Sequence, residues 1–247
     1  MTDSVAARWW RDAVARPGVL AAALADDVTV DDPRTGTARG RDAACRHLDE
    51  LRVWLTDVAV EPVAELTDGR RTVAEAVLIF PTFRLPCAVV TEQDGDAVTA
   101  VRVHHTLAPA QGRNRVRSPS LPADPTARAG GVVGRYQEAL AAADVDGLVG
   151  LYAPDGSFQE PAGPPFVHAG ADALRAFFTG LLGFGAVRVA TNAVVDDGRR
   201  CAVEYTYLGA GPVDLPPQAA LQTYVRTSTG DRLAATGNYD SLVLPGS

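Results

Sequence analysis

The chain has 247 residues, 47% of them hydrophobic and 21% charged, which is enough to bury a core in one large domain or two smaller ones. Its net charge of −7 argues against nucleic acid as a partner, because binding to phosphate needs clustered positive charge. No apolar run approaches the roughly 20 residues that span a bilayer, and the first residues lack the basic and long apolar segments of a signal peptide. We therefore expect a soluble, cytoplasmic protein without a membrane partner.

The types of reactive residue exclude several kinds of chemistry. All 23 basic residues are arginines, so a lysine Schiff base, a pyridoxal-phosphate lysine and a Walker-A lysine are absent from this sequence. The cysteines are Cys45, Cys87 and Cys201, an odd and widely spaced set that gives neither a disulfide framework nor a four-cysteine zinc site. Since no His, Asp or Glu spacing is typical of a metal site either, we predict no metal and no cofactor.

Short stretches recur at a nearly constant distance along the chain. Asp-Pro at 32–33 recurs as Glu-Pro at 160–161, Gly-Arg-Asp at 40–42 as Gly-Ala-Asp at 170–172, and Asp-Gly-Arg-Arg at 68–71 unchanged at 197–200. The offsets are 128, 130 and 129 residues. So steady an offset predicts a tandem duplication, with two homologous domains at 1–110 and 132–247.

The segment 111–131 separates the two predicted domains. It is rich in Pro, Ser, Gly and Arg and has no apolar periodicity, which is typical of an extended linker. Its arginines Arg113, Arg115 and Arg117 fit either a solvated linker or a phosphate contact, and the solvated linker is the simpler interpretation.

Both halves show the same order of predicted elements, which is clearest in the second half. Apolar residues at spacings of three and four predict helices, alternation predicts strands, and a Gly- and Pro-rich stretch predicts an insertion. The helices are at 132–143, 147–152 and 172–182, the strands at 157–160, 186–195, 200–208, 219–227 and 232–244, and the insertion at 209–218. Helices followed by a long meander predict an α+β fold of two tandem cone-shaped, curved antiparallel sheets packed on helices. The open end of such a cone is a usual place for a ligand.

Several motifs of the second half resemble the nuclear-transport-factor-2-like superfamily, and most of all its SnoaL-like and ketosteroid-isomerase-like members. The motifs are Tyr136-Gln-Glu-Ala-Leu, Leu151-Tyr-Ala-Pro-Asp-Gly-Ser-Phe-Gln-Glu-Pro-Ala-Gly, His168-Ala-Gly and Ala173-Leu-Arg-Ala-Phe-Phe. The first half resembles the family more weakly, and a tandem pair of such domains resembles two-domain polyether epoxide hydrolases and cyclases. The resemblance implies a ketosteroid-isomerase-like fold in both halves. It leaves function open, because this fold hosts many activities.

The resemblance also implies a site in the second half. The family's proton-shuttling carboxylate falls on Glu160, and its oxyanion-binding tyrosine on Tyr136. SnoaL-type cyclases use an acidic residue late in the chain, which is Asp240 here. The family's second oxyanion donor, an aspartate, falls on Thr223, which is a departure from the pattern. Tyr205 is expected to contact the substrate.

In the first half the carboxylate position is Asp32, and Trp9 stands where the family has its tyrosine. Alternation along the strands predicts that Glu61 and His105 face the cavity, with Asn192 as the counterpart of Glu61 in the second half. Asp32 and Glu61 together resemble the acidic pair of the polyether epoxide hydrolases. Besides Tyr205, the residues expected to contact the substrate are Trp9, His105, Asn192 and Thr223.

These residues favour a cofactor-independent general acid/base enzyme, because a carboxylate in an apolar cavity has a raised pKa and can act as a base or an acid near neutral pH. The predicted reaction is cyclisation or isomerisation of a hydrophobic, polyketide-like intermediate, with epoxide opening as one route. The alternatives are a non-catalytic protein that binds or sequesters a hydrophobic small molecule, and a structural module whose cavity is closed by Val187, Val203 and Tyr205. We expect the two domains to pack as an internal pseudo-dimer, with homodimerisation as a further option.

Overall fold

The computed structural model describes residues 4–244. The chain divides into two compact units between Arg113 and Asn114. Each unit has one six-stranded sheet, and the two sheets fit a tandem arrangement of two domains. Among the described residues, no helix is long and apolar enough to cross a membrane.

The first unit begins with helices that pack against its sheet. Ser4 caps the first helix, since its hydroxyl accepts a hydrogen bond from the backbone N–H of Ala7 at 3.1 Å. The helices are α1 (Val5–Ala15), α2 (Pro17–Ala23), α3 (Arg41–Trp54) and α4 (Ala108–Gln111). The strands are β1 (Leu24–Asp32), β2 (Gly36–Arg39), β3 (Ala59–Thr67), β4 (Arg71–Ile79), β5 (Arg84–Asp94) and β6 (Ala97–His104).

The second unit repeats this plan. Asp144 caps its second helix by accepting from the backbone N–H of Gly147 at 2.8 Å. The helices are α5 (Gly131–Ala141), α6 (Val145–Gly150) and α7 (Ala171–Leu182). The strands are β7 (Tyr152–Gln159), β8 (Val167–Ala169), β9 (Val187–Asp196), β10 (Arg200–Ala210), β11 (Val213–Arg226) and β12 (Leu233–Asn238).

The two sheets have the same strand order, β2-β1-β6-β5-β4-β3 and β8-β7-β12-β11-β10-β9. Both are largely antiparallel, as expected. In each unit, however, the strand that comes first in the sequence pairs parallel with the strand that comes last: β1 with β6, and β7 with β12. Local alternation could not predict this pairing, because it joins strands that are far apart in sequence. The α+β fold class itself is confirmed.

A glycine at the same place in each unit lets the edge hairpin turn into the following helix. Gly40 precedes α3 with φ +81°, and Gly170 precedes α7 with φ +79°. Only glycine adopts this region of backbone space without strain. The backbone conformation therefore requires the glycine of the recurring Gly-x-Asp motif.

The segment predicted as a linker is in large part bound to the second unit. The carbonyl oxygen of Arg117 accepts from the backbone N–H of Ala219 at 2.7 Å, and the backbone N–H of Asp124 donates to the carbonyl oxygen of Thr191 at 2.9 Å. An extended segment without apolar periodicity can still bind through its backbone, which periodicity does not detect.

The predicted insertion at 209–218 is also not a loop. β10 continues to Ala210 and β11 starts at Val213, so most of this stretch lengthens a hairpin. Pro216 and Pro217 lie in the strand at positions that the register leaves unpaired, between the pairs Tyr207–Gln218 and Gly209–Asp214.

Candidate active site

The second unit contains a cavity of about 370 Å³ between its helices and the inner face of its sheet. Its wall combines aromatic rings and aliphatic side chains with a small number of polar groups, as ligand pockets usually do. The lining residues are Asn114, Tyr136, Leu140, Phe158, Glu160, Pro161, Phe177, Leu181, Val187, Tyr205, Tyr207, Gln222, Asn238, Asp240, Ser241 and Leu242.

Glu160 forms a hydrogen-bonded pair with a histidine at the cavity. The Oε1 atom of Glu160 lies 2.7 Å from Nε2 of His168, and the two side chains are 35% and 26% exposed. β7 and β8 create the pair, since Phe158 lies opposite His168 in the register and Glu160 follows two residues after Phe158 on the same face. The imidazole also stacks on Phe177, with ring centres 4.4 Å apart. The carboxylate is thus oriented and remains accessible.

Tyr136 lies at the back of the cavity in a chain of polar groups. Its hydroxyl accepts from the amide of Gln222 at 3.1 Å, and the carbonyl oxygen of Gln222 accepts from the hydroxyl of Tyr224 at 3.1 Å. Burial raises the pKa of Tyr136 far above its ordinary value, although the bond from Gln222 works in the other direction. Tyr136 is therefore a neutral hydroxyl whose proton is available for donation.

A second polar group lies on β10 and β12. The hydroxyl of Tyr205 donates to that of Tyr207 at 3.0 Å, and the amide nitrogen of Asn238 donates to Tyr207 at 3.0 Å. Tyr205 and Tyr207 face the cavity together because they are two residues apart on one strand. Burial raises the pKa of both tyrosines, so both are neutral.

Asp240 lines the cavity, but both of its oxygens are engaged. Oδ1 lies 2.9 Å from the guanidinium of Arg117, and Oδ2 accepts from the backbone N–H of Leu221 at 2.9 Å. Only 8% of the Asp240 side chain and 11% of the Arg117 side chain is exposed. Such a pair anchors the segment around Arg117 to the sheet, and moving a proton through Asp240 would disrupt it.

Asn192 and Thr223 were expected to contact the substrate, and the fold directs both away from the cavity. Asn192 bonds to the carbonyl oxygen of Leu121 and, at 3.0 Å, to the hydroxyl of Thr206. Thr206 lies between the cavity-facing tyrosines of β10, and Thr223 adjoins the cavity-facing Gln222. Strand alternation therefore puts these residues on the opposite face. For Asn192 the reason is an irregularity in the β9–β10 pairing, which shifts the alternation of side chains along β9.

In the first unit, Asp32 is fully buried in a polar cluster. One oxygen accepts from the backbone N–H of Arg34 at 2.7 Å, the other lies 3.1 Å from the Arg34 guanidinium and 3.5 Å from Nε2 of His47. Burial raises the pKa of Asp32, but Arg34, His105 and His47 outweigh it, and the net direction is down. This is opposite to what the sequence led us to expect of a carboxylate in an apolar cavity.

Glu61 and Asp32, the predicted acidic pair, lie in different environments. The Glu61 side chain is 53% exposed and forms an ion pair of 2.6 Å with Arg84. Asp32, in contrast, has no exposed surface. The epoxide-opening route depended on these two carboxylates sharing one cavity, and it stays a prediction.

Aromatic rings fill the interior of the first unit. Trp9 is completely buried in the core, and His105 stacks on Trp54 with ring centres 5.6 Å apart. Trp54 also carries the guanidinium of Arg34 over its face, 4.3 Å from the ring centre. Trp9 and His105 are thus packed residues here, although the sequence predicted that they contact a substrate.

Sequence reasoning did not single out most of the polar residues at the second cavity. These are His168, which pairs with Glu160, and the lining residues Asn114, Tyr207, Gln222, Asn238 and Ser241. The signal for Tyr207 and Gln222 was present, since each is polar and lies at the alternate position of a predicted strand. His168 becomes visible only through the β7–β8 register. Within residues 4–244, no group of three or more His, Cys, Asp or Glu side chains is arranged to hold a metal ion.

One family model matches the second unit. Residues 133–237 match the family model of the SnoaL-like domain. The second unit is similar to SnoaL-like domains. The resemblance predicted for this half is therefore confirmed. Tyr136, Glu160, His168 and Gln222 lie inside the matched range, and Asp240 follows it. The chain has no significant match among curated proteins.

Solved structures similar to this chain include three bacterial proteins. One is a protein with a ketosteroid isomerase-like fold from Catenulispora acidiphila, crystallised with trimethylamine (19% identity, TM-score 0.37, 45% of this chain and 85% of that one). Another is a proposed polyketide cyclase from Sinorhizobium meliloti (15%, 0.33, 38% and 88%). A third is a proposed ketosteroid isomerase from Kribbella flavida (24%, 0.33, 39% and 70%).

Proposed function

We propose that the SnoaL-like domain is a cofactor-independent acid/base enzyme that isomerises or cyclises a hydrophobic, polyketide-like molecule. The observation that carries the proposal is the Glu160–His168 pair at 2.7 Å on a largely aromatic cavity of about 370 Å³. An accessible, oriented carboxylate beside an apolar binding surface is what a proton-transferring enzyme of this type needs. A structural module with a closed cavity would not need it.

In this mechanism Glu160 removes a proton from a carbon next to a carbonyl group. The C–H bond breaks, the proton moves to a carboxylate oxygen, and the electron pair is delocalised onto the carbonyl oxygen as an enolate. Isomerisation is completed when Glu160 returns the proton to another carbon. Cyclisation is completed when the enolate carbon attacks the carbon of a second carbonyl group of the same molecule. The electron pair of that C=O bond moves to its oxygen, which then takes the proton back from Glu160. A positioned general base supplies roughly 10² to 10⁴ in rate.

Tyr136 is suited to stabilise the enolate oxygen. Its hydroxyl accepts from Gln222, which polarises the O–H bond and strengthens its donation to a further acceptor. It stays protonated because burial raises its pKa. A donor fixed in advance costs no reorganisation when charge develops on the substrate. His168 acts as a positioning residue that holds the Glu160 carboxylate.

The test is hydrogen exchange at the carbon acid 2-tetralone, followed by NMR in D₂O. 2-Tetralone is flat, hydrophobic and carries acidic C–H bonds next to its carbonyl, so exchange reports proton removal whether or not it is the natural substrate. We expect the protein to accelerate exchange above the buffer rate, and Glu160→Gln to lower the rate constant by roughly 10²-fold or more, because the amide cannot accept the proton. The matched control is Glu138→Gln, which changes an exposed carboxylate on α5 and should have no effect.

The rival function is binding or sequestration without chemistry. It predicts that 2-tetralone binds, that exchange runs at the buffer rate, and that Glu160→Gln alters only affinity. That result would show that the domain binds hydrophobic molecules without catalysing proton transfer.

A further inference from the structure

Tyr207 has an unused hydrogen-bond donor at the cavity. Its hydroxyl oxygen accepts two bonds, from the hydroxyl of Tyr205 and the amide of Asn238, both at 3.0 Å. With two bonds accepted, its own proton remains to be donated, and no acceptor for it is found among the described residues. Two donors on one hydroxyl polarise it and strengthen its donation.

Asn238 offers the complementary group beside it. Its amide nitrogen is occupied by Tyr207, whereas its carbonyl oxygen Oδ1 is buried and has no hydrogen-bond partner within residues 4–244. A buried acceptor without a partner is costly, and native structures rarely keep one without a reason. Since Asn238 lines the cavity, a bound molecule can supply the missing donor.

The charges of the lining restrict what that molecule can be. The carboxyl groups of the wall belong to Glu160 and Asp240, and none of the lining residues is an arginine or a histidine. The Arg117 guanidinium near Asp240 is already paired with it, so an anionic ligand group beside Tyr207 would find no cationic side chain in the lining to balance its charge. The group that fits is neutral, and it both accepts and donates a hydrogen bond.

From these observations we infer that Tyr207 and Asn238 form a subsite for a neutral hydroxyl or enol group of the substrate. The ligand oxygen accepts from the Tyr207 hydroxyl, and the ligand O–H donates to Oδ1 of Asn238. The inference rests on the proposed function, since it assigns the substrate class of the same cavity. It narrows that class to hydrophobic molecules that carry an uncharged hydroxyl or enol, and excludes fully alkylated ethers and carboxylates at this position.

The experiment compares two probes that differ only in a methyl group, which replaces the hydroxyl proton. 2-Naphthol can donate and accept, and 2-methoxynaphthalene can only accept. We expect the wild-type protein to bind 2-naphthol roughly tenfold more tightly or better, because the ether leaves Oδ1 of Asn238 unpaired. In Asn238→Leu the ratio of the two dissociation constants should fall to within about twofold of one, with little change for the ether. Tyr207→Phe removes the donor that both probes use, so it should weaken the binding of both and leave much of the preference for 2-naphthol.

Asn192→Leu is the matched control, since it makes the same replacement on the opposite face of the sheet and should keep the preference. Thermal unfolding of each variant shows whether it is folded. If Asn238→Leu fails to fold, Tyr207→Phe decides, because unchanged affinity for both probes in that variant would overturn the subsite. Equal affinity of the wild-type protein for both probes, or tighter binding of the ether, overturns the subsite.

The two proposals fail separately. If the protein prefers 2-naphthol but does not accelerate exchange of 2-tetralone, the subsite is supported and the enzymatic function is overturned. If exchange depends on Glu160 but 2-naphthol is not preferred, the enzymatic function is supported and the subsite is overturned.

Discussion

Two carboxylates at corresponding places in the two units have different environments. Asp32 and Glu160 both precede a proline at the end of the first strand of their unit. Asp32 is fully buried and fixed by Arg34, whereas the Glu160 side chain is 35% exposed and paired with His168. A buried carboxylate held by a guanidinium and a backbone N–H stabilises the fold and is poorly suited to exchange protons. We therefore expect Asp32 to stabilise the first unit and Glu160 to act on a substrate.

Asp32→Asn tests the structural role. Removing the charge leaves the Arg34 guanidinium buried without its partner, which should lower the free energy of unfolding at pH 7 by about 3 kcal/mol. Folding lowers the pKa of Asp32, so its stabilisation is present above the pKa of an unfolded aspartate, about 3.9, and is lost as the pH falls through the folded value.

The difference in melting temperature between the wild-type protein and Asp32→Asn should therefore stay nearly constant from pH 7 to about 4 and shrink as the pH is lowered further. Tryptophan fluorescence is the signal to follow, because Trp9, Trp10 and Trp54 all lie in the first unit. A difference that also stays constant below about pH 4 would show that the Asp32 charge does not stabilise the fold.

The hairpin between β10 and β11 closes on the end of α7 through a glycine. Gly211 has φ +53°, and its backbone N–H donates to the carbonyl oxygen of Ala186 at 2.9 Å. A Cβ atom at this position would overlap the carbonyl oxygen of Phe184. The close contact joins the start of β9, and with it the cavity residue Val187, to the hairpin. The hairpin thus fixes one wall of the cavity.

Gly211→Ala should destabilise the second unit by about 3 kcal/mol, because a left-handed backbone penalty of about 1 kcal/mol adds to a steric cost of about 2. Gly230→Ala is the matched control: its φ is +75°, but nothing lies within 4 Å of the added Cβ, so only the backbone penalty applies. Tyrosine near-ultraviolet absorbance follows this unit, since all six tyrosines lie in it. Equal losses in the two variants would mean that the hairpin can shift to relieve the overlap.

At the scale of the whole molecule, the two units share a sheet order and differ in what fills the interior. Tryptophans and Phe80 pack the first unit, and tyrosine hydroxyls with Gln222 and Asn238 line the cavity of the second. The boundary between the units lies after Arg113, and the extended segment 114–124 bonds to the second sheet through Arg117, Leu121 and Asp124. The second unit is therefore expected to need this segment.

Two fragments test that expectation. A fragment of residues 114–247 should fold and bind 2-naphthol with the affinity of the full chain. A fragment that starts at 132, the boundary predicted from sequence, lacks Arg117 and leaves Asp240 buried without its ion-pair partner. It should unfold at a lower temperature and bind more weakly. If circular dichroism shows that the two fragments are equally stable, residues 114–131 act as a linker, as the sequence predicts. The duplication and the internal pseudo-dimer stay predictions.

The sequence by itself determined the α+β fold class, the SnoaL-like resemblance of the second half and the candidate carboxylate Glu160. These depend on periodicity and short motifs, which are local properties of a chain. Register and burial were decided only by the tertiary structure. A shift of one residue in β9 directs Asn192 away from the cavity, and pairing of β7 with β8 brings His168 to Glu160. Arg34 reverses the expected pKa direction of Asp32, and Arg84 holds Glu61 at the surface, because a charge is governed by the partners that folding brings to it.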